Sequence, residues 1–210
     1  MTKRGKFIVI DGLDASGKTT LIENLKEHKG FRSAYFTREP GGTEFSENIR
    51  SLVFKSKDID KMTELLCMYA ARNEHLKIIK QKIESGIDVV CDRYRCSSFL
   101  YQSEVGYDKI IELDNLTKTL TPDFEVVLYT DYETYLKRKS NSGVEINRLD
   151  PKSIDDFNIL EGSLTNYMVK YPRSKFIDTS NYTEYDVIDR FVSMYKQYLE
   201  DERTGQTSLF

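Results

Sequence analysis

Gly12-Leu13-Asp14-Ala15-Ser16-Gly17-Lys18-Thr19 is a complete G-x-x-x-x-G-K-[ST] phosphate-binding loop, and its reading decides the fold. It follows the apolar run Phe7-Ile8-Val9-Ile10 and precedes the helical-looking Leu21-Ile22-Glu23-Asn24-Leu25, which supplies the strand–loop–helix context the motif needs. At Gly12 and Gly17 the missing side chains let the backbone wrap closely around phosphate oxygens. Freed N–H groups and the positive end of the following helix dipole then hold those oxygens. Lys18 is placed to reach β/γ-phosphates as a mobile point charge, and the Thr19 hydroxyl is the natural Mg²⁺ ligand. Ala15, Ser16 and Thr20 complete the donor-binding stretch. A glycine turn that merely enters a helix has no need of Lys then Thr here.

Working outward, apolar β-rich runs recur around Ala34 to Phe36, at Val89 to Cys91, at Glu125 to Tyr129 and at Lys175 to Ile177, with helical-period stretches between them. Continuous apolar strands alternating with helices predict an α/β fold: a doubly wound, parallel five-stranded sheet covered by helices on both faces, with ligands at the carboxyl ends of the strands. The first three runs each end in chemically loaded residues, Asp11 to Thr20, Thr37 to Thr43 and Asp92 to Gln102. Residues 1–200 read as a single domain, with a short lid at about 138–150 around Asn141-Ser142-Gly143 and a loose tail over 201–210.

Composition narrows the possible partners. A chain of 210 residues with 39% apolar content can bury one substantial core, and a net charge of −3 argues against a nucleic-acid or anionic-membrane partner held by a global positive field. No apolar run is long enough for a membrane span, and the three cysteines, Cys67, Cys91 and Cys96, form no C-x-x-C pair, so neither disulfides nor zinc are expected. These features predict a cytoplasmic protein. His28 and His75 read as ordinary surface or helix residues, and the scattered tyrosines form no stacking platform for nucleic acid.

The strand-end clusters carry a more specific signal. Thr37-Arg38-Glu39-Pro40-Gly41-Gly42-Thr43, Ala71-Arg72 on a long helical stretch, Asp92-Arg93-Tyr94 followed by Ser97-Ser98-Phe99-Leu100-Tyr101-Gln102, and Thr121-Pro122-Asp123 stand in that order behind the phosphate loop. Together they resemble the motifs of the bacterial thymidylate kinase family over about residues 6–180. The resemblance implies a P-loop kinase, usually a homodimer, that uses ATP and Mg²⁺ to convert dTMP to dTDP on the way to dTTP. By position it implies that Arg93 and Arg38 hold the acceptor's 5′-phosphate and that Arg72 bonds the pyrimidine carbonyl. Ser98 and Gln102 would read the remaining polar edge of the base, and Tyr101 would pack on the sugar against a 2′-hydroxyl. Asp14 would face the sugar, the phosphate-bound arginine or Mg²⁺ through water. Guanidinium forks match such acceptors. Lys18, Asp14, Arg93 and a lid cation form the implied catalytic set. Because Ala15 leaves the loop without a positive side chain, that last duty passes to the lid, where Arg148 fits best beside Arg138 and Lys139.

At one position the chain departs from the family. Where the family carries an aromatic ring that stacks on thymine, this chain has Met68, with Tyr69 next to it. A thioether contacts a base without a flat stacking surface. Three readings follow: Tyr69 covers the base instead, Met68 is core filler, or the acceptor is a related deoxypyrimidine monophosphate such as 5-hydroxymethyl-dUMP or dUMP. A non-catalytic nucleotide-binding module is the alternative from another class. The terminal Gln206-Thr207-Ser208-Leu209-Phe210 also resembles a sliding-clamp-binding peptide, two apolar anchors on a tail.

Overall fold

The central strand takes its place from sequence: Phe7, Ile8, Val9 and Ile10 are all apolar, and all are fully buried. The computed structural model describes residues 4–143 and 148–205. Its five strands are β1 (Phe7–Gly12), β2 (Tyr35–Arg38), β3 (Val89–Asp92), β4 (Phe124–Tyr129) and β5 (Lys175–Asp178). All pairings are parallel in the order β2-β3-β1-β4-β5, so β1 is flanked on both sides. The expected sheet is therefore present. β1 runs on to Gly12, because the loop residue still pairs with Leu128 of β4.

Among the described residues eight α-helices surround the sheet: α1 (Lys18–Glu27), α2 (Glu44–Lys55), α3 (Lys61–Glu84), α4 (Arg95–Tyr101), α5 (Tyr107–Leu116), α6 (Tyr132–Asn141), α7 (Ile154–Lys170) and α8 (Glu184–Thr204). Successive strand side chains point to opposite faces. Ile8, Ile10, Val126 and Leu128 pack with Leu21 and Leu25 of α1 and Phe191 of α8. Phe7 and Val9 pack on Leu76, Ile79 and Ile83 of α3, while Val127 meets Phe99 of α4 and Phe157 and Tyr167 of α7. Among the described residues no helix is long and apolar enough to cross a membrane.

The helix N-termini are closed in different ways. Thr43, Asp60, Asp131, Ser153 and Thr183 cap α2, α3, α6, α7 and α8 through their side chains. α1 begins at Gly17 with no side-chain cap. α4 is capped from a distance: the fully buried Asp11 carboxylate accepts from the N–H groups of Tyr94 (2.7 Å) and Ser97 (3.0 Å) and from the Ser97 hydroxyl (2.6 Å).

Candidate active site

The phosphate loop, the ends of β2 and β3, and the cavity-facing sides of α2, α3, α4 and α6 line one open cavity of about 1290 Å³. At its donor end Gly17 sits at φ +94° with nothing where a Cβ would project, so its role lies in the left-handed turn that starts α1. Gly12 has a reason of its own in the sheet, besides the phosphate wrapping expected of it. At φ +124° a Cβ there would lie 1.9 Å from the Leu128 carbonyl oxygen, so strand β4 itself excludes a side chain.

Lys18 is buried and its Nζ donates to the carbonyls of Gly12 (3.0 Å) and Leu13 (2.5 Å). Burial and then the Arg93 charge push its pKa from 10.5 to about 8, against the pull of Asp14, Asp92 and Asp11. Thr19 and Thr20 line the cavity beside it, and one carboxylate oxygen of Asp92 is buried without a hydrogen-bond partner. Arg138 of α6 ties this end together, donating to the Ala15 carbonyl (3.2 Å) and to the hydroxyl (2.8 Å) and carbonyl (2.6 Å) of Thr179 after β5.

Three arginines converge on the middle of the cavity. Arg93, directly after β3, takes φ +67°, a left-handed conformation that a non-glycine residue adopts at a cost of order 1–3 kcal/mol. Its guanidinium pairs with the Asp14 carboxylate, donates to Ser97 Oγ (3.1 Å) and lies 5.5 Å from the Tyr101 ring. Burial opposes ionisation of Asp14, yet the charges of Arg93 and Lys18 outweigh it and hold the carboxyl below its ordinary value. Arg38, at the end of β2, is exposed and donates to Glu47 (3.0 Å). Arg50 of α2 donates to the Pro40 carbonyl (3.0 Å); burial, then the charges of Arg38 and Arg93, lower its pKa. In the sequence Arg50 stands one helical stretch after the Pro-Gly-Gly turn, and the motifs assign it no role. Its signal is a cation two turns into the helix that follows the Pro-Gly-Gly turn.

The third part is built on α3. Arg72 is 4% exposed; its Nε donates to Glu39 (2.7 Å), and one terminal nitrogen donates to the Tyr94 carbonyl (2.8 Å) and Ser98 Oγ (3.1 Å). Its other terminal nitrogen has no hydrogen-bond partner. Burial works against the charge, but Glu39, with Tyr69, Asp114 and Tyr94 behind it, outweighs burial and holds the Arg72 pKa well above its ordinary value. Met68, Arg72, Ser98, Tyr101 and Gln102 all line the cavity, as the sequence motifs lead one to expect of a shared site. Tyr69 does not: its hydroxyl donates to Asp114 (2.9 Å) and the Ile110 carbonyl (3.1 Å), and its ring lies 4.7 Å from the Arg72 guanidinium. Tyr69 therefore supports Arg72 from behind, and Met68 is the residue that faces the cavity.

His75 is a helix residue, on α3, but not an ordinary surface one. It is fully buried, with Nε2 2.7 Å from Thr37 Oγ1 and Nδ1 3.4 Å from Glu39 Oε1. Cys91 completes a buried trio with Glu39 and His75 whose ligand atoms lie within 4.8 Å of one another. The Arg72 guanidinium already occupies Glu39, and burial pushes the Cys91 thiol far above its ordinary range, away from the thiolate a metal needs. The trio is scaffold for Arg72.

The cations of the lid take three different places. Arg138 is committed to Ala15 and Thr179. Lys139 lines the cavity and pairs with buried Asp150 (2.8 Å), which also accepts from Tyr135 (3.3 Å). Arg148, expected over the transfer, stands on α3 instead: its guanidinium lies 2.6 Å from the fully buried Glu64 carboxylate and is not among the groups lining the cavity. The clamp-like peptide Gln206 to Phe210 lies outside the described residues.

A parallel sheet of this order, with a phosphate loop at one end of a cavity and convergent arginines opposite it, defines a P-loop nucleoside monophosphate kinase. The sequence profile described as Thymidylate kinase matches residues 10–189. A thymidylate kinase of Mycoplasmoides gallisepticum is 33% identical over 204 residues, covering 92% of this chain and 96% of the relative. One from Caldicellulosiruptor saccharolyticus is 39% identical over 161 residues, covering 72% and 77%. The crystal structure of thymidylate kinase from Ehrlichia chaffeensis superposes with a TM-score of 0.73 at 27% identity, covering 91% of this chain and 99% of that one. The chain belongs to the thymidylate kinase family.

Proposed function

We propose that the protein transfers the γ-phosphoryl group of ATP to dTMP, giving dTDP and ADP, and that each end of the cavity described above serves one of the two nucleotides. The carrying observation is the cluster of Arg38, Arg50 and Arg93, three guanidiniums that line one cavity with the phosphate loop. Burial, then the charges of Arg38 and Arg93, lower the pKa of Arg50, and a phosphate monoester supplies the negative charge that this guanidinium lacks. Lys18 and the N–H groups at the start of α1 hold the donor's β- and γ-phosphates. A dTMP phosphate oxygen, gripped by the arginines, attacks the γ-phosphorus as the bond to the ADP oxygen breaks. Alignment and charge neutralisation supply most of the acceleration.

Asp14 orients Arg93, and the Tyr101 hydroxyl, which accepts from the Asp14 N–H (3.1 Å), fixes the ring over which the acceptor sugar passes. Arg72, held by Glu39, the Tyr94 carbonyl and Ser98, donates to a base carbonyl, with Ser98 and Gln102 beside it. Of the lid cations described, Arg138 and Lys139 both line the cavity, Arg138 against the phosphate loop and Lys139 paired with Asp150, and they are the candidates to support the transferring group. The donor set fits Mg²⁺, since the Thr19 hydroxyl and the unpartnered oxygen of Asp92 are hard oxygen ligands beside the loop. Bound there, the ion would supply charge neutralisation on the triphosphate.

Family membership favours dTMP over 5-hydroxymethyl-dUMP or dUMP, and Met68 then covers thymine by shape. A homodimer is supported by the exposed apolar residues Phe45 and Leu52 of α2, Leu66 of α3 and Leu116 of α5. A cytoplasmic setting, where deoxynucleotides are made, agrees with the free cysteines. The test is an assay with ATP and Mg²⁺ against dTMP, dUMP, 5-hydroxymethyl-dUMP, dCMP and UMP, following ADP release and product identity. Fastest turnover of dTMP is expected; no turnover with any acceptor would overturn the proposal.

A further inference from the structure

Glu64 is a fully buried carboxylate on the cavity-facing stripe of α3, one turn before Met68 and two before Arg72. It has two partners. Gln102 Nε2 donates to Oε1 at 2.9 Å, and the Arg148 guanidinium stands 2.6 Å from Oε2. A carboxylate only accepts hydrogen bonds, so it must face the NH₂ end of the Gln102 carboxamide. That leaves the carbonyl oxygen, an acceptor, as the free end of a side chain that lines the acceptor cavity.

Polarity at that point separates bases. Thymine and uracil present an N3–H donor beside the O4 carbonyl, whereas cytosine presents an N3 acceptor beside an amino group. An outward carbonyl on Gln102 therefore suits the first pattern and repels the second. A buried carboxylate stays in such a place only with a countercharge, and Arg148 supplies it. From these contacts we infer that Arg148 is a positioning residue for base selection: through Glu64 it fixes which end of the Gln102 amide meets the acceptor base. This rests on the acceptor reading above, and it replaces the expectation that Arg148 supports the transferring phosphoryl.

The experiment compares wild type with Arg148→Ala, Arg148→Lys and Glu64→Gln, measuring dTMP, dUMP and dCMP affinities by calorimetry together with kcat and KM for each. In Arg148→Ala and Glu64→Gln the preference for dTMP over dCMP should shrink by roughly ten- to a hundredfold, the worth of one polar contact reversed. The dTMP-to-dUMP ratio should hold, because those bases share one polar edge, and general loosening of the cavity would not spare it. The change should fall on KM rather than kcat, and Arg148→Lys should recover most of the preference. Loss of kcat by one factor for every acceptor, with ratios kept, would place Arg148 at the phosphoryl group and overturn the inference. Unchanged ratios and unchanged kcat would overturn it too. Should Glu64→Gln not fold, the two Arg148 variants decide alone. A wild-type protein that failed to bind dTMP would instead overturn the acceptor reading itself.

Discussion

Two buried cations stand at opposite ends of the cavity in opposite electrostatic states. Lys18 touches only backbone carbonyls, and burial and Arg93 push its pKa down to about 8. Arg72 is as deeply buried but has Glu39 at 2.7 Å, and its pKa is raised. The donor end thus holds a charge that is satisfied only when phosphate arrives. At the acceptor-base end the charge is satisfied by the protein, so Arg72 is fixed in place before any ligand binds. Polyanion capture and base reading ask for these two different states: the first needs strong attraction, the second needs a donor whose direction does not change.

The most disruptive way to break this contrast is to remove the partner of Arg72. Glu39→Ala leaves a guanidinium buried without its main countercharge and should lower unfolding free energy by about 3–5 kcal/mol, read by urea denaturation. A loss below about 1 kcal/mol would mean that Asp114, 3.8 Å from Arg72, carries the charge balance instead. The matching change at the donor end should act on function and not on folding. Lys18→Met should lower turnover by roughly 10²- to 10³-fold, as for loss of one transition-state contact, and leave stability equal or higher. A large loss of stability would show that Lys18 braces the loop it bonds to.

How far these two ends can be read from sequence follows from how they are built. The donor end is eight consecutive residues using mostly backbone, so a short pattern contains it whole. The acceptor end joins side chains from β2, α2, α3, β3 and α4. Its individual residues could be placed by motif, but their partners could not. His75 and Glu39 meet only because parallel β2 and β3 bring the turn after β2 against α3, and no local spacing encodes that. Gly12 was legible as a glycine position, though its cause, the Leu128 carbonyl of a neighbouring strand, lies far along the chain. Arg148 met the same limit, since its partner Glu64 sits in another element. A charged residue in register with Met68 and Arg72 on one helix stripe was the available signal there.

A milder perturbation than either substitution is pH. Because the folded-state pKa of Lys18 lies below 10.5, the folded protein releases this proton before the unfolded chain does. The group's contribution to stability therefore rises as pH climbs from about 8 toward 10.5. Nucleotide binding has the reverse sign, since a triphosphate stabilises the protonated amine. ATP affinity should be fully present below about pH 8 and weaken above it, with proton uptake on binding. Calorimetry at pH 8–8.5 in buffers of different ionisation enthalpy reads that uptake directly. Equal heats in all buffers would show that Lys18 is already fully protonated in the free protein.

The smallest expected effect concerns Met68, where the acceptor end departs from its family. Arg72 and its scaffold fix the edge of the base, while Met68 supplies a face that adapts to shape. A ring at this position adds a flat surface worth about 0.5–1.5 kcal/mol against another aromatic system. Met68→Phe should then lower KM for dTMP by roughly two- to tenfold and leave kcat and the dTMP-to-dCMP preference in place, because no polar group of the reading edge changes. Steady-state kinetics with dTMP and dCMP would sharpen the division between edge and face. If KM rises instead, the cavity has been packed around the thioether, and the buried scaffold behind Arg72, with Tyr69 stacked on its guanidinium, leaves no room for a ring to enter.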